Sequence, residues 1–113
     1  MSIQHDLEIQ QTKRLDRRLG GELMRGSGQT PGHKGDREFP PFLFEQKTTG
    51  KASQSVKREW LAKIEKEAFE RKLVPGVLLS FENMPYTSEK DWVVVRLETF
   101  KKLLSGGYNE ESD

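Results

Sequence analysis

Two strand-like apolar runs separated by one amphipathic helix constrain this chain most. Residues 42–47 read FLFEQK, and residues 77–81 read VLLSF. Between them, Val56, Trp60, Ile64 and Ala68 recur every four residues, with Leu61 beside them. That spacing predicts a helix over residues 55–72 that buries one stripe. A helix between two strands carries the chain across a sheet and back, so the strands join one sheet and the helix covers its face. Glu59 with Lys63, and Glu67 with Arg71, stand four apart. They are expected as ion pairs on the exposed side of that helix.

The remaining elements follow from local signals. Leu7, Leu15 and Leu19, with polar Gln11 between them, predict a helix over residues 6–19. Gly20-Gly21 stops it, because glycine takes the left-handed conformation that ends helices. Residues 22–25 and 36–39 are expected as short strands, separated by a loop containing Gly26-Ser27-Gly28 and Pro31-Gly32. Pro40-Pro41 ends the second. In 42–47, Phe42, Phe44 and Gln46 face one side, and Leu43, Glu45 and Lys47 the other. Pro75-Gly76 is expected to break the pattern before 77–81. Residues 83–90 form a turn region, 92–97 a valine-rich strand, and 98–104 a closing helix ended by Gly106-Gly107. The order is α-β-β-β-α-β-β-α. This predicts an α/β fold with a central mixed five-stranded sheet flanked by helices.

A length of 113 residues suits one domain, taken as 1–105, with an acidic tail at 106–113 expected to be disordered. No apolar run approaches the ~18 residues of a membrane span. The N-terminus lacks the basic-then-apolar pattern of a signal peptide. Cysteine is absent, which excludes disulfides and thiolate metal sites and is compatible with a cytoplasmic location. The net charge of +1 says nothing about nucleic acid. Without the last eight residues, however, 19 basic residues stand against 15 acidic. Lys13, Arg14, Arg17 and Arg18 form one basic cluster, and Lys51, Lys57 and Arg58 another. Each is either a phosphate contact or, more simply, a solvated face.

The stretch that carries chemistry is Gly35-Asp36, eight residues, then Glu45-Gln46-Lys47. Side chains two apart on a strand share a face, with Cα atoms about 6.5 Å apart. Glu45 and Lys47 therefore stand together, and Asp36 on the neighbouring strand can bring a second carboxylate. Two carboxylates suit a hard divalent cation such as Mg²⁺. Lys47 can orient a water or stabilise developing charge. Such a set suits phosphodiester hydrolysis. Its simpler reading is an exposed ion pair on a strand and an aspartate in a turn.

The succession Gly-Ser-Gly, Gly-Asp, Phe-Leu-Phe-Glu-Gln-Lys-Thr-Thr-Gly and a lysine-rich helix resembles the PD-(D/E)xK nucleases. It is most similar to archaeal-type Holliday junction resolvases and their small phage-encoded relatives. The likeness extends over most of residues 8–104 and includes the final strands and closing helix. It implies a restriction-endonuclease-like core. It also implies that Asp36, Glu45 and the backbone carbonyl of Gln46 hold Mg²⁺, with Mn²⁺ able to substitute. Lys47 matches the catalytic lysine, and Ser27 matches a loop serine near the scissile phosphate. The family also carries an acid on its first helix. Thr12 stands at that place here, with Glu8 one turn before and Asp16 one turn after as candidates. Gly35 replaces the proline of the family's name.

The resemblance implies a homodimer acting on branched DNA such as four-way junctions, in a cytoplasm that would be the host's if the chain is phage-encoded. Arg25, Lys34, Lys51 and Lys57 are the candidate phosphate contacts, because loops beside the site are where a backbone passes. His5 and His33 do not form a zinc motif. Trp60, Phe69 and Trp92 are expected as core or dimer contacts rather than base-stacking platforms. Gly26-Ser27-Gly28 lacks the lysine of a P-loop, so no nucleotide cofactor is expected. The rival readings are a nuclease for nicks, DNA ends or RNA, a nuclease fold that binds without cutting, and a structural protein.

Overall fold

The computed structural model describes residues 3–23 and 36–108. Their order is α1 (Ile3–Arg18), β1 (Glu22–Leu23), β2 (Arg37–Phe39), β3 (Phe42–Thr49), α2 (Arg58–Arg71), β4 (Val74–Phe81), β5 (Asp91–Val95) and α3 (Leu97–Leu104). The fold is α/β, with a mixed sheet and three helices. The strands lie side by side in chain order. β1 contributes only two residues, so the body of the sheet is β2 to β5. The β3–α2–β4 passage makes the one parallel pair, Phe42 opposite Val74 through Thr49 opposite Phe81. The remaining neighbours pair antiparallel.

Alternation along β3 divides the core into two layers. Leu43 packs against Ile64 and Ala68 of α2, with Leu73 beside them. Phe44 packs against Leu15 of α1 and Leu78 of β4, flanked by Phe39 and Phe42. α1 is tied down by polar contacts as well. The buried Gln11 amide donates to the Lys47 carbonyl (2.8 Å) and to Ser80 Oγ (2.7 Å). Arg37, fully buried, donates to Gln46 Oε1 and to the Gly20 carbonyl.

Several element boundaries differ from the sequence reading. α2 begins at Arg58, three residues late, because Lys57 is extended. Val56 lies outside the buried stripe and is exposed. β4 begins at Val74 and contains Pro75 and Gly76. Pro75 is tolerated because pairing with β5 starts one residue later, at Gly76. Gly76 suits the strand because a Cβ there would lie 2.7 Å from Phe44 Cε1. β3 runs two residues beyond the expected 42–47. Gly20 and Gly21, at φ 77° and 81°, end α1 as expected. No described helix is long and apolar enough to cross a membrane.

Candidate functional site

Among the described residues, pairing of β2 with β3 stops at Arg37 opposite Phe44. From Glu45 onward that side of β3 is an open edge among the described residues, and Asp36 stands at its corner, just before β2. The Asp36 and Glu45 side chains are only 6% and 5% exposed. One ammonium joins them: Lys63 Nζ, reaching in from α2, lies 3.7 Å from Asp36 Oδ1 and 3.1 Å from Glu45 Oε1. It also lies 3.3 Å from Glu67 Oε2, one turn along the helix. Three carboxylates thus converge on one lysine.

Burial is the largest influence on Asp36 and pushes its carboxyl up to about 8. A hydrogen bond with Glu67 and the charge of Glu45 push the same way, and Lys63 opposes them. The Asp36 contact in turn holds Glu67 below the usual carboxylate range, despite its burial. Two carboxyl groups bond only when one keeps a proton, and Asp36 is the one that keeps it. Among the described residues, the buried Glu67 Oε1 has no hydrogen-bond partner besides that Asp36 carboxyl.

Lys47 extends along the open edge on the same face. Its Nζ lies 3.3 Å from Glu45 Oε2 and 4.6 Å from the centre of the Trp60 ring. Carboxylate and ring hold the ammonium between them. Trp60 is therefore a contact of the site rather than of the core alone. The edge opens into a cleft of about 250 Å³, lined by Glu8, Glu45, Lys47, Thr48, Lys51 and Trp60 among others.

The first-helix alternatives occupy three different places. Glu8 lines the cleft with Glu45 and Lys47. The Thr12 hydroxyl accepts from Gln46 Nε2 at 3.5 Å. Asp16 pairs with Arg37 at 2.8 Å, away from the cleft. Of the candidate metal ligands, Gln46 lines the cleft, and its side chain is turned to α1 by Arg37 and Thr12.

Lys51 lines the cleft, and Lys57 is exposed just before α2. Arg25, Ser27, His33, Lys34 and the chain after Tyr108 lie outside the described residues. Two of the four residues in the basic cluster on α1 are held in ion pairs. Arg14 pairs with Asp91 (2.9 Å) and Glu82 (3.1 Å). Arg18 pairs with Asp91 (2.8 Å) and Glu89 (2.6 Å). Phe69 and Trp92, expected as core or dimer contacts, are exposed and so are not part of the core.

The two helix pairs expected on the outside of α2 are corrected. Lys63 turns to Asp36, Glu45 and Glu67. Arg71 pairs with Glu38, and Glu67 faces the site. The signal was present in the sequence. Lys63 and Glu67 follow Trp60 by three and seven residues, the spacing of the sheet-facing stripe.

Among the described residues, no three histidine or acidic side chains form a ready metal cage. Mg²⁺ does not require one, since it commonly takes one or two protein carboxylates and keeps several waters. Asp36 and Glu45, nearly buried and already sharing a cation in Lys63, fit that role. Glu67 adds negative charge beside them. Compared with known proteins, the chain matches no family profile and no curated sequence.

Proposed function

We propose that the protein is a metal-dependent endodeoxyribonuclease of the PD-(D/E)xK kind that cleaves branched DNA, most specifically a Holliday junction resolvase. The observation that carries this reading is the meeting of Asp36 and Glu45 on one cation, with Lys47 beside them at an open sheet edge. The α-β-β-β-α-β-β-α order and the parallel β3–β4 pair make a mixed α/β fold, and we take its core to be restriction-endonuclease-like.

In this reading Asp36 and Glu45 would hold Mg²⁺ or Mn²⁺, and Glu8 and the Gln46 carbonyl, whose residues line the same cleft as Glu45, would assist. When bound, the cation polarises the phosphate and acidifies a water. Lys47, steadied by Trp60 and Glu45, directs its ammonium at the attacking water or the phosphate oxygens. Lys51 and Lys57 meet the DNA backbone, as do Arg25 and Lys34 before the site, so recognition rests on shape and charge rather than base edges. Two symmetric cuts in a junction need two sites, hence a homodimer.

The competing reading is a nucleic-acid-binding module on the same fold that has given up cleavage. Lys63 favours it, because its ammonium already neutralises the acids a metal would use. The test is cleavage of a synthetic four-way junction beside linear duplex, in Mg²⁺ and in chelator. Paired cuts confined to the junction and abolished by chelator are expected. Equal cutting of every substrate would point to another nuclease, and tight binding without cuts in either metal to the non-catalytic module.

A further inference from the structure

We infer that Lys63 is the resident counter-ion of this site: it holds the place of the divalent cation and leaves Asp36 and Glu45 when one binds. The inference rests on the proposed metal-binding reading and adds a residue that competes with the metal.

The nearly buried Glu45 needs a cation beside it, and Asp36 needs one whenever it gives up the proton it keeps. Lys63 supplies it, with Nζ at 3.1 Å from Glu45 and 3.7 Å from Asp36. A lysine can also leave. Its charge is a compact point on a flexible stem, and the Lys63 side chain is 41% exposed, so its route to water is open. A destination exists in Glu67, 3.3 Å away at i,i+4 and more exposed than either acid. Lys63 can keep that contact while it gives up the other two.

Lys47 is placed differently. Its ammonium lies on the other oxygen of Glu45 and against the Trp60 ring. It can remain when the shared position of Lys63 is taken. The acids therefore have one ammonium that stays and one that yields.

The test uses the full chain and Mn²⁺ alone, with calorimetric titration and melting in chelator as readouts. Lys63→Met keeps the stem and removes the charge. It is expected to bind Mn²⁺ about tenfold or more tightly than the parent, since no bound ammonium must be displaced. In chelator it should melt below the parent, and saturating Mn²⁺ should raise its melting point by more than it raises the parent's. Lys63→Arg, which keeps the charge and grips carboxylates with a planar fork, should bind Mn²⁺ several-fold more weakly. The second variant decides the matter if the first does not fold. Equal or weaker binding by Lys63→Met, or equal or tighter binding by Lys63→Arg, overturns the inference and leaves the metal site standing. No binding by any of the three proteins overturns the metal site as well.

Discussion

Asp36 has the most consequential protonation equilibrium in the molecule. Its carboxyl is pushed up to about 8, first by burial and then by Glu67 and Glu45. Between about pH 4 and pH 8 the folded chain therefore holds a proton that the unfolded chain has released. Stability from this group is complete below about pH 4 and is lost progressively as pH rises from there to about 8. Asp36→Asn fixes the neutral state at every pH. In chelator at about pH 8.5 the variant should be more stable than the parent by on the order of 1 kcal/mol, roughly 4–8 °C in a domain of this size. The gap should close near pH 5, and cleavage should be absent throughout. A variant melting at or below the parent at pH 8.5 would show that the carboxylate is ionised and well paired. Lys47→Ala makes the complementary case. Lys47 is partly exposed, so the fold should lose no more than about 1 kcal/mol. Junction cleavage should fall by a factor of about 10² or more if the ammonium stabilises the transition state. Retained cutting would remove Lys47 from the chemistry. Glu45 and Lys47 were legible because a two-residue strand spacing puts them on one face. Asp36 was offered from the neighbouring strand and singled out by the family likeness, since nothing local says which strand meets β3.

At the scale of elements, a glycine in β4 and a polar contact under α1 show what the sequence reading left out. Pro75-Gly76 reads locally as a break, yet β4 runs through both. The Phe44 ring lies over Gly76 and is stacked on Phe42, with ring centres 5.3 Å apart. Val95 closes the other side, 3.2 Å from where a Cβ would stand. Gly76→Ala should therefore destabilise the protein by about 1–3 kcal/mol, the cost of overpacking a filled core. Urea denaturation would measure this, and an unchanged midpoint would mean that the ring can move aside. No sequence window contains that contact, because Phe44 lies across a crossover. α1 was placed correctly from Leu7 and Leu15, but its docking was not legible. Gln11 and Arg37 are fully buried and make their contacts by hydrogen bonds, which a periodicity of apolar residues does not register. α2 was misread differently. Its lysine and glutamates were assigned to water by type, although 60, 63, 64, 67 and 68 share one face.

Across the whole molecule the titrating groups divide into two sets with opposite signs. Burial alone would raise Glu82 and Asp91. Hydrogen bonds from Arg14 outweigh it, helped by Thr48 for Glu82 and by Ser80 and Arg18 for Asp91, and both groups sit below the ordinary carboxylate range. Their stabilisation is complete above about pH 4 and is lost as pH falls through their lowered values. Asp36 acts in the other direction and removes stability as pH climbs towards 8. The metal-free protein should thus be most stable at about pH 4–5, with an acid limb set by the clasp of α1 to β4 and β5 and an alkaline limb set by the candidate site. A divalent cation acts on the second limb alone, because it binds the ionised carboxylates and competes with the proton. In saturating Mn²⁺ the optimum should move up by about one pH unit or more, the acid limb should stay in place, and chelator should restore the original profile. Melting temperatures across pH 3–9, with Mn²⁺ and with chelator, measure this. Two superimposable profiles would mean that Asp36, Glu45 and Lys63 form a closed ionic lock with no room for a metal, and the chemistry proposed for this edge of the sheet would have to be given up.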